Sequence, residues 1–322
     1  VQAERNLKAS EGSVIETVDW PDLPPESLQQ GAVAIGNFDG VHAGHALLVR
    51  ELFRQARTVG GPAVVLTFDP HPLLLLRPSE FLPVLTTVAD RVDLLRQRGA
   101  DHVCVLRTTP ELLQLTAERF FEEMIRSRLR AKAMVEGENF GFGRERTGNI
   151  ASLTEMCRTA GVGLTVVPPL QRDGRTISSS RVREALDRGD VRQAASLLDR
   201  PYRLRGMVGR GAQRGQKLGF PTANLIEPAS LVPAVGVYAV RAQADGKNWP
   251  GAANIGPNPT FGEQERKVET HLIGFEGDLL GRPIALDFID RLRDTRTFPS
   301  VDELVQQISK DVEQARLAGD PP

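Results

Sequence analysis

The sequence predicts a two-domain α/β protein: an N-terminal parallel sheet with helices on both faces, then a compact β-barrel followed by a terminal helix. Three observations predict it. From Gly31 to about residue 200, short apolar runs rich in β-branched residues alternate with amphipathic stretches. Beyond residue 200, Gly and Pro become frequent, and strand-like runs succeed one another with no helix between them. The 322 residues exceed an ordinary single domain and suit about two.

The predicted strands of the first domain cover residues 32–36, 63–68, 102–106, 133–136 and 164–167. Leu48, Leu52 and Ala56 repeat at helical spacing within 47–56, and 88–97 and 118–129 show the same periodicity. One further helix is expected over 182–198. The domain boundary follows it, giving domains 1–199 and 200–322. Barrel strands are predicted at 236–240, 268–273 and 284–289. A last helix follows Pro299, with Ser300 and Glu303 in capping-box spacing and Val301, Leu304, Val305, Ile308 and Val312 on one face. The first thirty residues form a lead-in with one edge strand.

Forty basic against forty-one acidic residues leave a net charge of −1, so the chain lacks the global field that holds a polyanion. Neither a nucleic-acid nor a membrane partner is expected, and self-association is left open. Two cysteines, Cys104 and Cys157, cannot make a disulfide framework. No apolar run approaches membrane-spanning length, and residues 1–30 are interrupted by acidic side chains such as Glu4, Glu11, Glu16, Asp19 and Asp22. The expectation is a soluble cytoplasmic protein.

In a parallel sheet the carboxyl ends of the strands carry the ligands. The run Gly36-Asn37-Phe38-Asp39-Gly40-Val41-His42-Ala43-Gly44-His45 follows the first main strand and holds two of the five histidines. Its glycines permit tight turns, and the helix starting near Gly44 offers free amides to a phosphate. Two imidazoles there suit a triphosphate whose charge redistributes during reaction; the plainer reading is a helix cap. Asp69-Pro70-His71-Pro72 ends the next strand, either beside the same site or as a simple terminator. Glu136-Gly137-Glu138-Asn139-Phe140-Gly141-Phe142 supplies an amide and two rings suited to a planar heterocycle. Ser178-Ser179-Ser180-Arg181 is a helix cap or a phosphate-contacting loop.

The HxGH and Ser-Ser-Ser-x-Val-Arg elements resemble the nucleotidylyltransferases that move an adenylyl group from ATP. The strings GNFDGVHAGH, LTFDPHP and GENFGFG resemble the adenylyltransferase half of the prokaryotic bifunctional riboflavin kinase/FAD synthetases. That likeness implies a Rossmann-like fold, with His42 and His45 stabilising the transition state. It further implies ATP or phosphate contacts at Gly36, Asn37, Phe38, Gly44, Ser179 and Arg181, and flavin contacts at Asp69 and Asn139. Ser180 stands where the family more often has Thr, and Val182 where it often has Ile.

Between Asp199 and Glu227 there is no acidic residue, while Arg200, Arg203, Arg205, Arg210, Arg214 and Lys217 all occur. Such a run is a solvated face or, with its interspersed glycines, a nest for polyphosphate. It is neither a Walker motif, since Leu218 follows Lys217, nor a dinucleotide fingerprint, since Gly209, Gly211 and Gly215 miss the spacing by one residue. Thr222 and Asn224 offer neutral oxygens to a magnesium ion bound mainly by phosphates and water. Glu269, opposite in phase to Val268, is either an exposed strand residue or a base for a hydroxyl.

LGFPTAN, Gly236-Val237-Tyr238, Asn254-Ile255-Gly256, Pro259-Thr260-Phe261 and VETH recur in this order in the riboflavin kinase family, which has a small flavin-binding barrel. The resemblance implies Mg²⁺ with ATP at Thr222 and Asn224, and phosphate contacts at Gly209, Gly215, Lys217 and Gly219. It implies flavin contacts at Asn254, Thr260 and Phe261, and a proton-accepting Glu269. Asn258 replaces a common arginine, and residues 293–298 replace the usual acid and lysine. The expected enzyme phosphorylates riboflavin to FMN with ATP, then adenylylates FMN to FAD. FMN and FAD are then substrates and products, not prosthetic groups. Two alternatives are a chain with one active domain and a non-catalytic flavin sensor.

Overall fold

The computed structural model describes residues 16–19, 22, 24–211, 214–257 and 267–319. By packing, the chain divides into two compact units, Val1–Ile177 and Ser178–Pro322.

The first unit is built on six parallel strands: β1 (Glu16–Val18), β2 (Ala32–Ile35), β3 (Ala63–Asp69), β4 (His102–Arg107), β5 (Ala133–Gly137) and β6 (Gly163–Val167), in the order β1-β4-β3-β2-β5-β6. The edge strand β1 is the expected one from the lead-in. Alternate residues of each strand serve opposite cores, as the period of two requires. Ala32 and Ala34 pack with helix α1 (Ala43–Val59) and helix α2 (Val88–Gln97) through Val49, Leu52, Val92 and Leu95. Val33 and Ile35 face the other core with Phe120, Met124, Leu153 and Cys157. That core is closed by α3, which starts as α-helix at Ala117–Phe120 and widens into π-type turns over Phe121–Arg128, and by α4 (Ile150–Ala160).

From β2 the chain moves outward through β3 to β4, then returns to place β5 on the other side of β2. The order therefore reverses between β2 and β5. Outside the carboxyl ends of these two strands lies the crevice where open α/β sheets bind ligands.

The single helix expected over 182–198 is two helices, α5 (Ser179–Asp187) and α6 (Val191–Leu198). Gly189 has a left-handed backbone (φ 74°), and the Asp190 side chain accepts from the Gln193 amide at 2.9 Å, restarting the chain as a new helix. Both helices belong to the second unit, which consequently begins before residue 200.

The barrel closes as β7-β8-β11-β10-β9-β12. Its strands are β7 (Tyr202–Gly209), β8 (Ala223–Ile226), β9 (Gly236–Ala244), β10 (Lys247–Gly256), β11 (Lys267–Leu272) and β12 (Pro283–Arg293). Tyr202, Leu204 and Val208 alternate inward along β7, and Val268, Thr270 and Leu272 along β11. Helix α7 (Val301–Gly319) covers the outer side of the barrel, with Val312, Ala315 and Ala318 against Ala239, Ala252, Ile289 and Leu292. Ser300 caps it as expected, accepting from Glu303 N at 3.2 Å. The covered face is the expected one from Leu304 onward, with Leu304, Val305, Ile308 and Val312 half-buried and Asp311 and Ala315 buried; only Val301, 49% exposed, lies off it. Asp311 is there because Arg293, at the end of β12, holds it through a bidentate pair at 2.7 to 3.0 Å.

Candidate functional site

In the first unit the run after β2 forms the floor of the crevice. His42 is the N-cap of α1, and its Nδ1 accepts from the His45 amide at 3.3 Å. That bond leaves the ring proton of a neutral His42 on Nε2, which makes this edge a hydrogen-bond donor. The two imidazoles stack with centroids 3.6 Å apart and planes 15° from parallel, and Phe38 packs against His45 at 5.1 Å. A Cβ on Gly44 would lie 3.2 Å from the His42 ring, so glycine there allows the close approach of cap and helix. Burial, then His42 and then Arg91 hold His45 well below the ordinary histidine range. His45 is therefore a neutral ring at physiological pH.

Asp39 braces this run. Its carboxylate accepts from Leu85 N at 2.9 Å, Thr86 N at 3.2 Å and the Thr86 hydroxyl at 3.3 Å, and Gly40 N donates to that hydroxyl at 3.1 Å. Arg91 on α2 is 2% exposed and donates to Thr67 Oγ1 at 3.2 Å and Phe68 O at 3.1 Å. The Thr67 hydroxyl in turn donates to Asn37 O at 3.2 Å. Burial lowers Arg91 from its usual value, opposed by the charges of Asp39 and Asp69. A fixed cation thus lies beneath the histidine run.

Asp69 ends β3 on the exposed side, and Asn139 is exposed in the loop following β5, which begins with a turn closed by Phe140 N donating to Gly137 O. Phe140 and Phe142 stack at 5.2 Å behind that loop. Glu136, just before it, is buried, and its Oε1 accepts from Ile35 N at 2.8 Å. Ser178 is the N-cap of α5, accepting from Arg181 N at 3.2 Å. Ser179 is in the first turn, half-buried, and Arg181 is 4% exposed. Both stand in the second unit.

In the barrel, strand pairing assembles residues that are far apart in sequence. Gly209 pairs with Asn224, Asn224 with Glu269, and Glu269 with Asn254. Asn224, Glu269 and Asn254 therefore form one row across β8, β11 and β10, on the outer face opposite the buried Leu225, Val268 and Ala253. Thr222 lies just before β8. Pairing with β11 begins at Ala223↔Thr270, and the His271 ring continues it by a 2.8 Å contact from Nδ1 to Pro221 O. Phe220 meets the same ring edge-on at 5.6 Å. A Cβ on Gly211 would fall 2.1 Å from the Asn224 amide nitrogen, so the loop backbone lies directly on that side chain.

Lys217, the last residue of the short helix Arg214–Lys217, and Gly219, in the turn that follows, are exposed, and Gly215 O accepts from Phe220 N at 2.8 Å. Part of the basic run is already paired: Arg203 is bidentate to Asp287 at 2.6 and 2.7 Å. Thr260 and Phe261, together with Asn258 and Pro259, fall outside the described residues. The altered segment 293–298 is tied to α7: Arg293 joins Asp311 and Arg296 bonds Gln307 at 2.8 Å, while Arg296 also packs on Phe298 at 4.9 Å. Asp39, Arg91, Glu136 and His271 were not singled out from sequence. Arg91 carries no local signal at all, because its partners lie on another strand.

A FAD synthetase family model matches residues 25–181, and a riboflavin kinase family model matches residues 198–318. The chain belongs to the bifunctional riboflavin kinase/FMN adenylyltransferase family. Its similarity to the family members of Pseudomonas fluorescens is 35% identity, covering 93% of this chain and 96% of the relative. For Escherichia coli (strain K12) the values are 36%, 90% and 94%, and for Bacillus subtilis (strain 168) 33%, 91% and 94%. A solved structure described as a macrolide-efflux protein from Streptococcus pneumoniae is similar in fold, with a TM-score of 0.82 and 33% identity over 94% of this chain and 99% of that one. Among the described residues no helix is long and apolar enough to cross a membrane. Family membership accounts for both halves of the fold and for the order in which they occur.

Proposed function

We propose that the barrel unit phosphorylates riboflavin with ATP to give FMN and ADP, and that the first unit transfers AMP from a second ATP to FMN, giving FAD and pyrophosphate. The two family matches support these activities, and the row Asn224–Glu269–Asn254 is the observation that carries the assignment of the kinase centre. Glu269 accepts the proton of the ribityl 5′-hydroxyl as its oxygen attacks the γ-phosphorus of ATP. Asn254, with Thr260 and Phe261, contacts the flavin. Gly209, Gly215, Lys217 and Gly219 border the polyphosphate, where backbone amides and the Lys217 ammonium offset its charge.

A divalent cation delivered with ATP fits Thr222 and Asn224. The donor set is two neutral oxygens, as suits an ion that keeps phosphate and water ligands, and the backbone at Gly211 fixes the Asn224 amide. When bound, Mg²⁺ neutralises charge on the phosphates. Among the described residues no three His, Cys, Asp or Glu side chains gather as a metal cluster.

In the first unit the nucleophile is the FMN phosphate, which is already ionised and needs no base. An FMN phosphate oxygen bonds to the α-phosphorus of ATP as the bond to pyrophosphate breaks. His42, donating from Nε2, and His45 stabilise the charge that gathers on the phosphate oxygens, with Gly36, Asn37, Phe38 and Gly44 shaping the run beneath them. Asp69 and Asn139 contact the flavin side; Ser179 and Arg181, which the family resemblance assigns to phosphate, belong to the second unit. Two buried thiols, neither in a disulfide, are in keeping with a cytoplasmic setting.

The test is a time course with riboflavin and Mg-ATP, separating riboflavin, FMN and FAD by chromatography. FMN rising first and FAD following is the expected result. FMN without FAD, even when FMN is supplied, would remove the adenylyltransferase assignment; bound flavin with no product would replace both with a sensor.

A further inference from the structure

Glu136 is a buried acid that the chemistry above leaves unused. Its place in the sheet gives it a task. Pairing between β2 and β5 ends at Val33↔Met134, while β2 stays paired with β3 as far as Ile35↔Leu66. Beyond that, the β3 side still holds the departing chain through Gly36 N to Leu66 O at 3.0 Å and the Thr67 hydroxyl to Asn37 O at 3.2 Å. Successive amides of a strand point to alternate sides, so the Ile35 amide turns toward β5, where the ladder has stopped. Oε1 of Glu136 accepts that amide at 2.8 Å. One side chain replaces the missing backbone carbonyl where the strands part to open the crevice.

The surroundings of this carboxyl determine its charge. Glu136 is 1% exposed and follows Met134 on the strand face that packs with Leu153 and Cys157. Among the described residues no cation pairs with it. A carboxylate without water and with one amide partner is far costlier than the acid. Burial accordingly pushes Glu136 well above the ordinary carboxyl range, and Cys157, the titratable group facing it from α4, is itself uncharged at neutral pH.

We propose that Glu136 is a positioning residue for adenylyl transfer: it clamps the end of β2 to β5 and so sets the spacing between the histidine run and the Asn139 loop. The proposal rests on reading this crevice as the adenylyl-transfer site. The clamp acts on two chain segments that leave the sheet within two residues of it, one to each wall of the crevice. Ionisation of Glu136 as the pH rises would bury an unpaired charge and loosen both.

The experiment uses the full chain, FMN and Mg-ATP, with FAD measured by chromatography and riboflavin phosphorylation by the same preparation as control. E136V removes the acceptor and is expected to lower kcat/KM for FMN about tenfold, mainly through KM. E136Q keeps an uncharged acceptor, recovers most of that loss, and flattens the alkaline decline of the wild-type rate. Phosphorylation of riboflavin stays at the wild-type rate in both. Wild-type KM in E136V, or E136Q as impaired as E136V, would overturn the clamp. If E136V does not fold, the pH profile decides: an alkaline decline in E136Q equal to that of the wild type overturns it. A wild-type chain that forms no FAD would instead fail the adenylyltransferase reading itself.

Discussion

In the first unit the histidine pair arrives on one unbroken stretch, residues 36–45, and its geometry is that of a helix cap. In the barrel, Asn224, Asn254 and Glu269 come from three strands, and only the pairing register makes them neighbours. The contrast concerns what each site depends on. A cap is local, so its geometry survives small shifts elsewhere. A row across strands fails as a whole if one strand slips, because a one-residue slip sends every side chain to the other face. The electrostatics differ too. The crevice sets a neutral His45 ring over a buried cation, whereas the barrel row presents a half-buried acid.

The sharpest way to break this comparison is to disable each centre alone. Glu269→Gln is expected to slow FMN formation by about 10²–10⁴-fold, the usual contribution of a positioned base, with FAD formation from supplied FMN unchanged. His45→Ala should give the mirror image, a loss of about 10²–10³ in FAD formation with riboflavin phosphorylation intact. Separate assays with riboflavin and with FMN read both, and a variant that lowers both reactions contradicts the independence of the two centres.

Next in size is the docking of α7 on the barrel. Arg293→Met leaves Asp311, 4% exposed on its side chain, without its ion-pair partner, at a cost of about 3 kcal/mol to the docking of α7. Calorimetry should find the transition of the second unit lowered and that of the first unmoved. An unchanged transition would mean that Gln307, which donates to Asp311 at 2.8 Å, suffices.

The smallest expected effect concerns the loop before β8. His271→Leu removes the contact to Pro221 O, worth about 1.4 kcal/mol, and should raise KM for Mg-ATP about tenfold with kcat little changed. His271→Asn, which keeps a donor, should recover part of it. Equal KM values in all three proteins would relegate His271 to packing.

Much of this was legible in the sequence because the signals are local. The strands of the parallel sheet are short β-branched runs, and the Gly36–His45 stretch combines turn glycines with a cap residue and a helix start. The helix break at Gly189 was missed because the apolar period continues through Val182, Leu186, Val191 and Leu198 on both sides of it. Val301 was assigned to the docked face because periodicity ranks apolarity, while the paired Asp311 is buried by an arginine on a different element. Glu136, Arg91 and His271 were not legible for one shared reason. Each acts on a backbone or hydroxyl group brought near by the sheet, and a sequence does not display which amides and carbonyls the ladder leaves over.

The two thiols carry a practical consequence. Both Cys104 and Cys157 are buried, and burial, with Glu136 nearby, pushes Cys157 up to about 11. At pH 7 only about one Cys157 in 10⁴ is then a thiolate, so a maleimide dye has almost nothing native to label. A single cysteine introduced at an exposed position, Leu76 in the first unit or Gln216 in the second, would be the one bright point on a dark background. Each of these segments can thus be followed optically during turnover, without first stripping the chain of its own sulfur.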